Sequence, residues 1–77
     1  MEKPTPDPCC AAFGRRLRSL REERGLSQEQ LAHIAGLDRT YVSSCEAGRR
    51  NATIKTVERL SRALQVDPAA LVSDVCK

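Results

Sequence analysis

The chain has 77 residues, enough for one small domain and too few for a sizeable catalytic cleft. Phe13 and Tyr41 are its only aromatic residues, so the core has to come from Leu, Val, Ile and Ala, a composition that favours helix-on-helix packing over a sheet. No apolar run approaches the length of a membrane span, the opening MEKPTPDPCC lacks the apolar stretch of a secretory signal, and the four cysteines show neither a CxxC pair nor a Cys/His ligand spacing.

The formal net charge is +3, but it is unevenly spread. Between Phe13 and Arg62 there are eleven Lys or Arg against six Asp or Glu, and arginine dominates. Such a basic centre suits phosphate and guanine contacts. Taken alone, the charge fits an ordinary solvated surface equally well.

Residues 1–9 carry three prolines and little that can pack, which predicts a disordered arm and leaves 10–77 as the domain. A first helix is predicted over about residues 10–24, with Phe13, Leu17 and Leu20 at i, i+4 and i+7 on its inner face. Gly25 stops it, and Leu26 folds back onto the core. Ser27 and Gln30 have the spacing of a capping box and open a second helix over 28–35. Gly36 supplies the left-handed turn, and Asp38 caps a third helix that runs to about Ala47. Thr53 caps a fourth, with Ile54, Val57, Leu60 and Leu64 as its inner stripe. Asp67 and Pro68 start a short fifth helix bearing Leu71, Val72 and Val75.

The stretch QEQLAHIAGLDRTYVSSCEAG, residues 28–48, carries the most information. Leu31, Ala35, Leu37, Val42 and Cys45 are spaced so that both of its helices bury one side against a common core, with small Ala32 at the crossing. That packing leaves Asp38, Arg39, Thr40, Tyr41 and Ser44 outside, with donors and acceptors suited to base edges in a DNA major groove. The pattern is a helix-turn-helix. Arg39 is the candidate guanine reader, with a phosphate or Asp38 as its alternative partner. Thr40 and Ser44, one helical turn apart, join it as base contacts. Asp38 is read first as the cap and only secondarily as a cytosine contact. Phosphate contacts are assigned to Gln28 at the start of the second helix and to Tyr41 and Ser43 on the third, with packing of Tyr41 against the next loop as its equal alternative. Arg49, Arg50, Asn51, Thr53 and Lys55 form a second phosphate site at the head of the fourth helix.

The run LRSLREERGLSQEQLAHIAGLDRTYVSSCEAGRRNATIKTVERLSRAL resembles the Cro/cI-type (XRE) family of helix-turn-helix regulators, and within it LDRTYVSSCEAGRRNATIKTVERL is most similar to restriction–modification controller proteins. The resemblance implies an all-α, five-helix, lambda-repressor-like domain with the helix-turn-helix at the second and third helices. It implies a salt bridge between Arg21 and Glu46, a DNA contact by Arg50 and by Gln28, and a small homodimer that regulates transcription. Cys45 departs from the Ile, Leu or Trp usual at its position and is read as a small hydrophobe.

The expected function is therefore sequence-specific binding of double-stranded DNA by a homodimer on a palindromic operator, with Leu71, Val72 and Val75 at the dimer seam, Leu71 turned toward the monomer core and Val72 or Val75 outward. RNA polymerase is a further candidate partner, and the setting is cytoplasmic, nucleoid-associated, in a bacterium or phage. The competing reading is an antitoxin-like module that uses the same fold to bind a protein. An enzyme is not expected, for no nucleophile–base set, paired carboxylates, phosphate loop or metal cluster is seen, and no cofactor is called for. Redox sensing by Cys9, Cys10 or Cys76 stands beside the reading of plain free thiols in the tails.

Overall fold

Asp7 starts the first helix. Its carboxylate accepts the backbone N–H of Cys9 at 2.8 Å, and Pro8 fills the first turn, where a missing N–H costs nothing. In the computed structural model, which describes residues 7–73, helix α1 therefore spans Pro8–Glu23, two residues earlier than the sequence pattern predicts. The assignment of residues 8 and 9 to an arm is corrected on that ground; residues 1–6 lie outside the described part.

Four more helices follow: α2 (Gln28–Ala35), α3 (Arg39–Glu46), α4 (Ile54–Leu64) and α5 (Pro68–Val72). No described helix is long and apolar enough to cross a membrane. The capping box at the head of α2 is complete. Ser27 Oγ accepts the N–H of Gln30 at 3.0 Å, and Gln30 Oε1 accepts the N–H of Ser27 at 2.8 Å. Gly36 ends the helix at φ +70°, a conformation that any β-carbon makes costly.

α1 packs on α3 and α5, α2 on α3 and α4, and α4 on α5. Phe13, Leu17, Leu20, Leu31, Val42, Cys45, Leu60, Leu64 and Leu71 meet in one core. Leu26 and Leu37 lie half-buried against it. α1 approaches the end of α3 so closely that a β-carbon on Gly14 would stand 2.5 Å from the carbonyl oxygens of Cys45 and Glu46. Gly14, three residues before Leu17, falls on the inner face by spacing, but the need for glycine there comes from another helix's backbone.

Two apolar assignments change. Ile54 was expected inside, yet it is 89% exposed. It heads α4, and no described residue covers it. Leu71, counted with the dimer seam but expected to turn inward, is fully buried and so leaves the seam itself, while Val72 beside it is exposed as expected. Val75 and Cys76 lie outside the described residues. Among the thiols, Cys10 is half-buried and free and Cys45 fully buried and free, whereas Cys9 is not a free thiol.

Burial pushes the Cys45 thiol up to about 11. Below its ordinary value of 9.0, folded and unfolded chains both hold the proton, and the thiol adds no pH dependence. As pH rises toward about 11 the unfolded chain gives the proton up first, so stability is lost across that window. Urea unfolding across it should show a steeper decline for the natural chain than for Cys45→Ala; parallel curves would remove burial of this thiol as the cause. Gly14→Ala should cost about 1–3 kcal/mol in the same assay, because the nearest atoms are backbone and cannot swing aside.

Candidate nucleic-acid interface

The site is built on a nearly buried ion pair. Arg21 on α1 donates from Nε to Glu46 Oε2 at 2.6 Å and from Nη2 to Glu46 Oε1 at 3.0 Å, and its Nη1 donates to the Leu26 carbonyl at 2.8 Å. The two side chains are 11% and 4% exposed. The hydrogen bond to Glu46 raises the Arg21 pKa further, against partial desolvation. One guanidinium thus ties α1, the turn after it and the C-terminal end of α3 into a single unit.

Gln28 joins that unit. Its amide Nε2 donates to Glu46 Oε1 at 3.0 Å. A carboxylate accepts only, so the amide nitrogen must face inward and the Gln28 carbonyl oxygen must face away. One amide hydrogen is thereby committed to Glu46. The second, together with the backbone N–H groups at the head of α2, is what Gln28 can offer a phosphate.

Gln28 and Arg39 line the same open hollow of about 330 Å³, with Arg21, Ser27 and Glu29. Arg39 is exposed at the first position of α3 and makes no hydrogen bond or ion pair with the described residues. The alternative pairing with Asp38 is not formed. Asp38 occupies the cap position, but its side chain makes no capping hydrogen bond. Thr40 is exposed beside Arg39, and Ser43 and Ser44 are half-buried further along the helix.

A second cluster forms where the loop at 49–51 meets α4. Arg49, Arg50 and Asn51 are exposed. The Arg50 guanidinium carbon lies 4.5 Å from the centre of the Tyr41 ring. The Tyr41 hydroxyl lies 3.1 Å from Thr56 Oγ1. Thr53 caps α4, accepting the N–H of Thr56 at 3.1 Å and donating its own proton to Thr56 Oγ1 at 3.0 Å. Thr53 therefore has no hydroxyl proton left for a phosphate, and the donors of this helix end are its backbone N–H groups. Lys55 is opposed by Glu58, 3.8 Å away, with both side chains largely in water. Sequence reasoning missed Thr56. Its spacing of three from the cap residue was the available signal, and the partnership with Tyr41 joins α3 to the helix that follows it.

The helix-turn-helix frame is shared with known proteins. A family model described as a helix-turn-helix domain matches residues 12–73. This chain belongs to the helix-turn-helix family. Its relatives include restriction–modification regulators. The control protein C.MunI of a Mycoplasma species is 44% identical over 66 residues, covering 84% of this chain and 89% of that protein. The solved restriction–modification controller C.AhdI from Aeromonas hydrophila superposes with a TM-score of 0.80 at 47% identity, over 80% of this chain and 94% of that one. A third relative, C.Esp1396I, was solved as a tetramer in complex with its natural 35-base-pair operator; it gives a TM-score of 0.78 at 34% identity, over 84% of this chain and 86% of that one.

As a helix-turn-helix protein the chain depends on Glu46 to hold α3 against α1. Glu46→Ala should leave the Arg21 cation nearly buried without its partner, at about 3–5 kcal/mol. Glu22→Ala, which breaks the exposed Arg18–Glu22 pair, should cost less than about 1 kcal/mol. Urea unfolding of the two variants side by side measures the contrast, and equal losses would show that the inner pair is no more than a surface one.

Proposed function

We propose that this chain is a sequence-specific regulator of transcription that binds a palindromic operator in double-stranded DNA as a homodimer, in the manner of restriction–modification controllers. The observation that carries the proposal is Arg39: an exposed guanidinium at the head of α3, with no partner among the described residues, in one hollow with Gln28. Arginine in that place matches guanine O6 and N7 with two hydrogen bonds. Thr40 adds a hydroxyl and a methyl group beside it. Asp38, with an uncapped carboxylate, and Ser44 complete the base-facing set in this reading.

Phosphates on either side hold the register. Gln28 and the head of α2 serve one of them, and Tyr41, Arg49, Arg50, Asn51 and the backbone at Thr53 another, with Ser43 and Lys55 at the margins. One such unit covers only about four or five base pairs, too few for selectivity in a genome. Two units related by a twofold axis solve this by placing their recognition helices about 34 Å apart. Ile54 and Val72 are the exposed apolar side chains that suit the seam. Val72 also borders a hollow of about 240 Å³ with Phe13, Ala52 and Val57, an apolar seat for a second copy. Leu71 supports this seam only from behind.

On this reading the protein works in the cytoplasm on the nucleoid, and a bound dimer either blocks RNA polymerase or touches it. The outer side of α2, where Glu29, His33 and Ile34 are exposed, is the surface available for that contact.

Selection of sites from random duplexes, followed by binding titrations at several salt concentrations, tests the proposal. The expected result is a twofold-symmetric motif with a steep salt slope. Arg39→Ala should relax the preference at one symmetric base pair by about 1–3 kcal/mol. Arg50→Ala should weaken binding to all sequences alike and lower the salt slope by about one. An unchanged preference profile in Arg39→Ala would falsify its role as a base reader.

A further inference from the structure

The hydroxyl groups behind the basic loop form a chain that phosphate contact alone does not require. Thr56 is 7% exposed. Its Oγ1 receives the proton of Thr53, and its one other hydrogen-bond partner among the described residues is the Tyr41 phenol at 3.1 Å. Either hydroxyl can donate across the Tyr41–Thr56 contact, so the bond fixes the position of the phenol oxygen whichever way its proton lies.

The Tyr41 ring serves a second purpose. The Arg50 guanidinium lies over it at 4.5 Å, within the range of a cation–π contact. Arg50 makes no other side-chain contact of this kind with the described residues, and its loop is exposed. The ring thus holds a long arginine of an exposed loop, and the ring is itself held by a buried threonine of α4.

We propose that Tyr41 and Thr56 are positioning residues for the phosphate contact: Thr56 fixes the phenol, and the ring holds Arg50 as a ready clamp for an anion. This rests on the reading of Arg50 as a phosphate contact. The gain is preorganisation, since an arginine already held over a ring has less freedom to lose when an anion arrives. The clamp is indifferent to base identity, so its loss should weaken binding to every sequence.

Anisotropy titrations against a selected duplex and an unrelated duplex, at several salt concentrations, test this with six variants: Arg50→Ala, Tyr41→Leu, Tyr41→Phe, Thr56→Val, Thr56→Ser and the double variant Arg50→Ala/Tyr41→Leu. Thermal unfolding checks the fold of each. The chain has one tyrosine and no tryptophan, so intrinsic tyrosine emission reports on Tyr41 directly. Tyr41→Leu should bind both duplexes about two- to fivefold more weakly, and its loss should be smaller in the Arg50→Ala background, where only the phenol's own contact remains to be removed. Tyr41→Phe keeps the ring and should lose less, and it carries the test if Tyr41→Leu does not fold. Thr56→Val should change the tyrosine emission and weaken both duplexes, and Thr56→Ser should restore both readouts. Losses from Tyr41→Leu and Arg50→Ala that multiply, a changed base preference in Tyr41→Leu, or Thr56→Val with unaltered emission and affinity would each overturn the proposal while leaving Arg50 a phosphate contact. An unchanged salt slope in Arg50→Ala would overturn the phosphate reading and this inference with it.

Discussion

Glu46 has two carboxylate oxygens and receives three donors, two from Arg21 and one from Gln28. These partners come from α1 and from the head of α2, while Glu46 itself ends α3. A charge pair this far from water is stable only if its remaining lone pairs and protons are satisfied. Arg21 meets that condition by giving its third donor to the Leu26 carbonyl. Both short helices of the motif are therefore fixed at one end by the same carboxylate. The geometry of the opposite end, where Arg39 and Thr40 stand in solvent, follows from that constraint.

The arrangement separates structural charge from available charge. Arg21 is consumed by the fold, Arg24 donates to the Leu64 carbonyl at 2.7 Å, and Arg16 to the Ala70 carbonyl at 2.7 Å. Arg39 and Arg49 keep their side chains free among the described residues, and Arg50 keeps only its ring contact. A count of basic residues treats all of these as equal, whereas the fold distributes them between carbonyl groups inside the protomer and an anion outside it. Gln28 belongs to both groups, with one amide hydrogen on Glu46 and one to offer.

Cys45 illustrates how much variation the frame tolerates. It is fully buried beneath the recognition helix and stays a neutral thiol, because burial disfavours the thiolate. A small side chain at that point is compatible with the close approach of α1, where Gly14 meets the carbonyls of Cys45 and Glu46. The two small residues let the backbone of one helix reach the end of another, and the Arg21–Glu46 pair forms across the same crossing.

What the sequence by itself determined had local causes, although the Asp7–Pro8 start of α1, equally local, was read as part of an arm. The capping box at Ser27 and Gln30, the left-handed Gly36, the cap at Thr53 and the stripe of Phe13, Leu17 and Leu20 depend on neighbours within one or two turns, and each could be read from spacing. Only the tertiary structure decided which apolar residues at the ends of the periodic stripes are covered. Ile54 fits the inner pattern of α4 but lies where no described helix reaches it, and Leu71, counted with the seam but expected to turn inward, closes the core. Likewise no spacing joins Tyr41 to Thr56, or Gln28 to Glu46, since those bonds exist only after separate helices have packed. Periodicity records which side of a helix faces inward; what stands opposite that side, and how far it extends, is set by contacts between segments distant in the chain.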